Sequence, residues 1–189
     1  TKSLGLYLHI PFCKTICVYC AFSVFANKNN YIDKYIETLC QEIIQRSKKF
    51  KAYFVDTIYI GGGTPSLIDA MLIEKLLIKI KKTFKVKPDA EISIECNPES
   101  LDLKKIKFYQ KIGINRISLG VQSLNDKTLW KIARPHNSKQ TIKALEQLNL
   151  AKFKNFGCDI IMGLPYQTFQ EFKTDIKTLL KYNPTHLSA

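Results

Sequence analysis

Apolar residues recur with helical spacing in some segments of the chain and form short runs in others. At 31–47 the apolar residues Ile32, Tyr35, Ile36, Leu39 and Ile43 follow the spacing i, i+3, i+4, i+7 and i+11, which places them on one face of a helix. The apolar run at 54–60 ends in three consecutive glycines and predicts a strand. The two patterns alternate along the whole chain.

The same criteria assign the remaining elements. Strands are predicted at 5–10, 54–60, 90–95, 116–121 and 157–162, and a further strand opens at 186–189. Helices are predicted at 31–47, from a Ser66 cap to 84, and at 101–112, 126–132, 138–150 and 168–181.

This order predicts an α/β protein with five complete strand–helix units and a truncated sixth. Such units imply a parallel sheet with right-handed crossovers. An open doubly wound sheet and a partial six-unit barrel of the TIM type fit the pattern equally. Both place ligands at the carboxyl ends of the strands. No linker interrupts the units, so we expect one domain over 1–189.

Composition and charge narrow the class of protein. The net charge is +13, but the lysines are spread over helix faces and form no Arg-rich or aromatic patch, which disfavours a nucleic-acid partner. No apolar run reaches the roughly 20 residues of a membrane span, and the N-terminus lacks the apolar core of a secretory signal. We therefore expect a soluble, cytoplasmic protein.

Three of the six cysteines fall within one short loop after the first strand. Cys13, Cys17 and Cys20 have the spacing CxxxCxxC. Three thiolates can each bind one iron of a 4Fe-4S cube and leave the fourth iron open to a ligand. A tetrahedral zinc site is the alternative, but it needs a fourth ligand, for which His9 is the only nearby candidate. Clustered thiols without a secretory signal argue against a disulfide framework.

The cysteine spacing resembles the signature of the radical S-adenosylmethionine (SAM) superfamily. Further segments resemble one of its families, which contains the oxygen-independent coproporphyrinogen III oxidases and the HemW-type haem chaperones. These segments are YLHIPFC at 7–13, GGGTPS at 61–66, IECNP at 94–98, RISLGVQS at 116–123 and DIIMGLP at 159–165. They occur in that family's order and cover practically the whole chain.

The resemblance implies a partial-barrel core that holds a 4Fe-4S cluster on the three cysteines. In the superfamily, the amine and carboxylate of SAM chelate the open iron, and an electron from the cluster splits the C–S bond of SAM. The protein positions and shelters these cofactors. By resemblance, the SAM contacts are Tyr7, Tyr19, Gly62, Gly63, Thr64, Glu95, Gln122, Arg134 and Asp159.

The residue types suit those roles. A carboxylate such as Glu95 can face the ammonium of SAM, and the amide of Gln122 can bridge ribose hydroxyls. Arg134 can pair bidentately with the carboxylate of SAM. Asp159 begins an apolar run, where an acid needs a partner that ribose hydroxyls would supply. Tyr19 can pack on adenine.

Other residues receive more ordinary interpretations. Cys40, Cys96 and Cys158 lie far apart in the sequence and are interpreted as small packing residues. His136 begins a predicted helix, where it either reaches the ligand site or lies on the surface.

Two departures favour the haem-chaperone branch over the oxidase branch. Phe22 stands where the oxidases carry a fourth cysteine, and only twelve residues precede Cys13. Ala21, where the chaperone branch often has an acid, departs from the pattern in the other direction. The resemblance thus implies haem or a porphyrinogen as a further ligand and an apo-haem-protein as acceptor. A chaperone delivering haem to respiratory proteins, a coproporphyrinogen III oxidase and an RNA-modifying radical SAM enzyme stay open, so the sequence does not decide whether the protein is an enzyme.

Overall fold

The computed structural model describes residues 2–189. Its strands are β1 (Lys2–Ile10), β2 (Phe12–Cys13), β3 (Phe25–Ala26), β4 (Tyr53–Gly62), β5 (Lys85–Cys96), β6 (Arg116–Gln122), β7 (Phe156–Ile160) and β8 (His186–Ser188). Its helices are α1 (Ile32–Ser47), α2 (Ala70–Thr83), α3 (Leu103–Ile112), α4 (Asp126–Lys131), α5 (Ser138–Leu150) and α6 (Phe169–Leu180).

Six strands form one parallel sheet whose spatial order follows the chain, β1-β4-β5-β6-β7-β8. A doubly wound sheet would reverse its strand order at a switch point, whereas a barrel adds each new strand on the same side. Helices α1, α2, α3 and α5 pack side by side in the same sequential order. The partial-barrel prediction is therefore confirmed, and β8 is the opening of the sixth unit.

Alternation along each strand separates the core from the site. Ile58 and Ile60 on β4, like Ile117 and Leu119 on β6, are fully buried among the apolar side chains of the sheet and helices. The intervening residues point to the opposite face of the sheet, because successive side chains of a strand alternate. Toward the carboxyl ends of the strands, that opposite face carries polar residues.

Most predicted elements are present, but the second helix begins later than expected. Ser66 does not cap it, since Pro65–Leu67 forms a 3-10 turn and the Oγ of Ser66 lies 2.6 Å from that of Ser100. Asp69 is the cap instead, and its carboxylate accepts a hydrogen bond from the backbone N–H of Met71 at 2.9 Å. Ser66 and Asp69 are both residue types that cap helices, but only Asp69 is followed directly by the helix α2.

The two-residue strands β2 and β3 were not predicted. They pair in parallel as a separate small sheet, with Phe12 opposite Phe25 and Cys13 opposite Ala26. Pairing of this kind closes the cysteine loop at its two ends. None of the helices in residues 2–189 is long and apolar enough to cross a membrane.

Candidate functional site

A cavity of about 370 Å³ lies at the carboxyl ends of the strands. Its position follows from the parallel sheet, whose strand ends all open at one edge. Eleven of the twelve predicted site residues line it: Cys13, Cys17, Tyr19, Cys20, Gly62, Gly63, Thr64, Glu95, Gln122, Arg134 and Asp159. Residues far apart in the sequence are thus brought to one site.

Tyr7 is the predicted site residue that does not line this cavity. Its side chain is largely exposed, and its ring stacks on that of Tyr59, a cavity residue, at 6.0 Å between centroids. The hydroxyl of Tyr7 lies 3.0 Å from Nδ1 of His9, whose Nε2 lies 2.8 Å from the carbonyl oxygen of Ser23. Both ring nitrogens of His9 therefore have polar partners, which leaves neither available as a zinc ligand. A SAM contact at Tyr7 stays a prediction.

The cysteine loop is held on both sides. The backbone N–H of Phe25 donates to the carbonyl of Pro11 at 2.7 Å, beside the short sheet. On the far side, Val18 N–H donates to the carbonyl of Ile132 at 3.2 Å. The hydroxyl of Thr15 donates to the carbonyl of Ala133 at the same distance. The loop thus carries its thiols against the segment that follows α4.

The three thiols are free and face the same cavity. Burial raises the pKa of Cys13, against a lowering by the Thr64 hydroxyl, which lies 3.6 Å from its sulfur. A guanidinium nitrogen of Arg134 lies 3.6 Å from the sulfur of Cys17. A hydroxyl and a cation near these sulfurs suit a site for thiolates, because both stabilise negative charge.

The donor set matches a cluster better than a single ion. Within residues 2–189, no group of three His, Cys, Asp or Glu side chains is arranged to hold one metal ion. A 4Fe-4S cube instead takes each thiolate on a different iron, so its ligands stand further apart. Three cysteines around an open cavity fit that requirement and leave room for a second ligand on the fourth iron.

Bare backbone forms the wall opposite Cys13. A Cβ added to Gly63 would lie 2.8 Å from the sulfur of Cys13 and 2.8 Å from the carbonyl oxygen of Phe12. Two backbone segments meet at this wall, and two hydrogen bonds join them. The N–H of Gly63 donates to the carbonyl of Ile10 at 2.9 Å, and the N–H of Thr64 donates to the carbonyl of Phe12 at 2.8 Å. Gly63 is therefore required by the close approach of two backbone segments.

Glu95 is the penultimate residue of β5 and lines the cavity. Its carboxylate accepts hydrogen bonds from the hydroxyl of Tyr59 at 2.8 Å and from the backbone N–H of Gly62 at 2.9 Å. Burial raises the pKa of Glu95, although these two hydrogen bonds oppose the effect. A buried carboxylate of this kind is well placed to receive a cationic ligand.

Asp159 is the second acid of the cavity. The hydroxyl of Ser118 on the neighbouring strand donates to its carboxylate at 2.6 Å. Burial raises the pKa of Asp159, while Ser118, His186 and two arginines lower it. One carboxylate oxygen of Asp159 accepts the hydrogen bond from the hydroxyl of Ser118. The carboxylate is thus already placed to accept a hydrogen bond from a hydroxyl group.

Arg134 is partly buried at the base of the cavity rather than exposed at the surface. Its guanidinium donates to Asn97 Oδ1 at 2.8 Å, to the carbonyl of Gly120 at 2.7 Å and to the Tyr19 hydroxyl at 3.3 Å. Its Nε is buried and has no hydrogen-bond partner within residues 2–189. An unpaired buried donor is costly, so this nitrogen is available to an anionic ligand.

Three cavity residues escaped the sequence analysis. Asn97 accepts from Arg134 and donates to the Thr64 hydroxyl at 3.3 Å, Tyr59 donates to Glu95, and Ser118 donates to Asp159. Tyr59 and Asn97 lie at or just after the carboxyl ends of predicted strands, and Ser118 lies within one. Tyr59 and Ser118 alternate with fully buried neighbours. This alternation was the sequence signal that could have identified Tyr59 and Ser118.

The remaining cysteines and His136 are all buried. Cys40, Cys96 and Cys158 are buried in the core, in agreement with their interpretation as packing residues, and Cys96 also lines the cavity. Burial raises the pKa of both Cys96 and Cys158 to about 12, as expected for thiols packed in apolar surroundings. His136 lies neither on the surface nor in the cavity; it is buried beneath the cavity wall.

Fold and site together define a sequentially wound half-barrel protein with a three-thiol cofactor cavity at its strand ends. The sequence pattern of the radical SAM superfamily matches residues 7–179. The chain belongs to the radical SAM superfamily.

Curated relatives agree with the resemblance seen in the sequence. The chain is similar to the heme chaperone HemW of Buchnera aphidicola (41% identity over 98% of this chain and 49% of the relative) and to that of Bacillus subtilis (36%, 97% and 48%). It is also similar to the oxygen-independent coproporphyrinogen III oxidase of Escherichia coli (32%, 100% and 41%). The chain spans about half the length of the curated relatives it matches.

A solved structure supports the fold. The coproporphyrinogen III oxidase HemN of Escherichia coli, described as a radical SAM enzyme, superposes with a TM-score of 0.90 at 30% identity. The match covers 100% of this chain and 44% of that structure.

Proposed function

We propose that Cys13, Cys17 and Cys20 hold a 4Fe-4S cluster whose fourth iron binds SAM inside the cavity. The observation that carries this proposal is the joint placement of three free thiols and the predicted SAM contacts around one opening. When bound, the cluster supplies an electron and SAM supplies the bond that it cleaves. The protein's own part is to bind, orient and shelter them.

Each cavity residue has a chemical counterpart on SAM. The unpaired Nε of Arg134 suits the carboxylate of SAM. Glu95 suits the ammonium, since its pKa is raised by burial and a cation would restore the charged form. Asp159 and Gln122 suit the ribose hydroxyls, and Tyr19 suits the adenine.

The glycine segment completes the pocket. Gly62 and Gly63 let the ligand approach the backbone, and Thr64 directs its hydroxyl to the sulfur of Cys13. For Tyr7 the proposal keeps the predicted SAM contact, beside the ring of Tyr59 on which it stacks.

For the whole protein we propose a haem chaperone that delivers haem to respiratory apo-proteins. HemW relatives reach 41% and 36% identity, against 32% for the oxidase. Phe22 also supports it: a largely exposed phenyl ring at the cavity lip stands where the oxidases carry a cysteine. The oxidase remains the second candidate, on the strength of the superposition with HemN. Six free cysteines suit a reducing compartment, so we propose a cytoplasmic location.

The cluster is tested by comparing Cys17→Ala with Cys40→Ala in the anaerobically purified full-length protein. Cys17→Ala should remove most of the iron and the brown colour, because one of three thiolates is lost. Cys40→Ala alters a buried cysteine of α1 and should keep both. Full iron and an unchanged visible spectrum in Cys17→Ala would overturn the cluster assignment.

The function is tested by offering the reconstituted protein two reactions. A chaperone should transfer haem to an apo-haem-protein without consuming SAM in proportion. Anaerobic conversion of coproporphyrinogen III to protoporphyrinogen IX would replace the chaperone with the oxidase.

A further inference from the structure

The backbone at Gln122 adopts a rare conformation. Its φ is +65°, in the left-handed region that residues other than glycine avoid. The N–H of Ser123 donates to the carbonyl of Val121 at 2.8 Å, so the three residues form a γ-turn of the strained, positive-φ type. A bulge between β6 and β7 accompanies the turn. Strain of this kind persists only where surrounding contacts enforce it.

The side chain of Gln122 lines the cavity, and the turn fixes the backbone from which it projects. Space for it comes from Gly120, where an added Cβ would lie 3.2 Å from Nε2 of Gln122 and 3.2 Å from a guanidinium nitrogen of Arg134. The amide therefore lies beside the arginine, on the side of the cavity assigned above to SAM. Alternation along β6 already places Gln122 on the cavity face, with Ser118 and Gly120. The turn and the bulge change the backbone direction at Gln122 and so set where on that face the amide lies.

Two buried polar side chains bind the two ends of the turn. Nε2 of His136 lies 3.1 Å from the carbonyl oxygen of Val121, the first residue of the turn. Asp175 on α6 accepts from the hydroxyl of Ser123 at 2.9 Å and from the N–H of Leu124 at 3.0 Å. His136 and Asp175 are 5% and 6% exposed, and neither lines the cavity.

His136 is itself fixed in place. Its other ring nitrogen, Nδ1, faces the carboxylate of Glu99 at 3.5 Å, and both side chains are almost fully buried. Both ring nitrogens thus face oxygen atoms of neighbouring residues, which fixes the orientation of the ring. His136 also follows Arg134 by two positions, so one loop delivers the arginine to the cavity and the histidine beneath the turn.

We propose that His136 and Asp175 are positioning residues that clamp the γ-turn and thereby hold the amide of Gln122 toward the ribose of SAM. The inference rests on the proposed SAM site and adds to it two residues that do not touch the ligand. Their action passes through the backbone of the turn, and removing either contact should let the turn relax and move the amide of Gln122 away from its place beside Arg134.

The test uses paired variants of the anaerobically reconstituted, cluster-loaded full-length protein. Asp175→Ala and His136→Leu remove the clamps, whereas Asp175→Asn and His136→Gln keep an acceptor or a donor at the same place. Titration with SAM in a calorimeter should show affinity about tenfold weaker in the first pair. The second pair should restore most of that loss. Iron content should stay at the wild-type level throughout.

A double-mutant cycle separates positioning from general destabilisation. If Asp175 acts through Gln122, Asp175→Ala combined with Gln122→Ala should bind SAM no more weakly than Gln122→Ala alone. Amide hydrogen exchange at 121–124 should rise in the clamp variants without SAM present. Leu148→Ala, a buried change in α5 that lines no part of the cavity, should lower the melting temperature and leave SAM affinity unchanged. Ser123→Ala offers a milder clamp variant with less effect on folding.

The results distinguish a failure of this inference from a failure of the proposed SAM site. Additive losses in the double variant, or clamp variants with wild-type affinity while Gln122→Ala weakens binding, would overturn the inference and leave the SAM site intact. Wild-type affinity in Gln122→Ala would remove the proposed ribose contact, and the inference with it. No SAM binding by the loaded wild-type protein would overturn both.

Discussion

Substituting Gly63 by alanine should separate folding from cluster loading. Gly63 lies where the segment after β4 crosses the start of the cysteine loop. Its backbone φ is not in the left-handed region, so the substitution acts through crowding rather than strain. The new methyl group would meet Cys13 Sγ and Phe12 O at 2.8 Å each, and the backbone carbon of Pro11 at 3.0 Å.

The size of the effect follows from these distances. Ordinary contacts of a Cβ begin at 3.4 Å, so a contact of 2.8 Å requires a displacement of about 0.6 Å. Cofactor sites tolerate displacements of about 0.5 Å, so Cys13 should lose its position. Overpacking costs about 1–3 kcal/mol. At about 2–4 °C per kcal/mol for a chain of this size, the melting temperature falls modestly and the chain still folds.

Gly5→Ala provides a matched control. Its added methyl group meets the hydroxyl oxygen of Thr57 at the same 2.8 Å, on the sheet and away from the cavity. Iron analysis and visible spectra after anaerobic reconstitution, with melting temperatures of the cofactor-free proteins, form the assay. Both variants should be less stable, and only Gly63→Ala should lose most of its iron.

Two results would refute this reasoning. Wild-type iron in Gly63→Ala would mean that the crossing does not position Cys13. Equal loss of iron in both variants would mean that stability, and not the position of the thiol, limits loading.

Three further changes test the cavity and the fold. Asp159→Ala should weaken SAM binding about tenfold with normal iron, because a hydroxyl acceptor is lost; unchanged calorimetric affinity would remove Asp159 from the site. Glu95→Gln should weaken SAM binding but raise the melting temperature of the cofactor-free protein. Burial raises the folded pKa of Glu95 above its ordinary 4.5, so its contribution to stability is complete below pH 4.5 and is lost as pH rises through the raised pKa. The advantage of the variant should therefore grow above pH 4.5, and a constant difference would contradict the assignment. Asp102→Ala removes the cap of α3, which accepts from Lys105 N–H at 2.7 Å, and should lower the free energy of unfolding by about 1 kcal/mol in a denaturant titration without affecting iron.

The architecture was predictable because strand and helix patterns are local. Ser138–Leu150 appears with the predicted bounds, since Asn137 and Gln140 form a capping box at its start and the apolar spacing continues to its end. Local sequence patterns could not distinguish a doubly wound sheet from a half barrel. The difference depends on which face the helices cover, and every unit has the same pattern in both folds.

The site was predictable by resemblance and only partly by chemistry. The spacing of Cys13, Cys17 and Cys20 pointed to a cluster without any structure. The support around it could not be read from the sequence, because the contact of Arg134 with Asn97 joins positions 37 residues apart and the clamp of Ser123 by Asp175 joins positions 52 apart. Such pairs become visible only when the sheet brings strand ends together.

The cavity is assembled from parts that are made at different times. The three cysteines fall within eight residues near the start of the chain, whereas Arg134 lies 117 positions after Cys17. Ribosomes add about 5–20 residues per second, so on the order of ten seconds separates the two during synthesis. During that interval the cysteine loop lacks its contacts with Ile132, Ala133 and Arg134. The yield of loaded protein should therefore depend on the speed of translation as well as on the supply of iron.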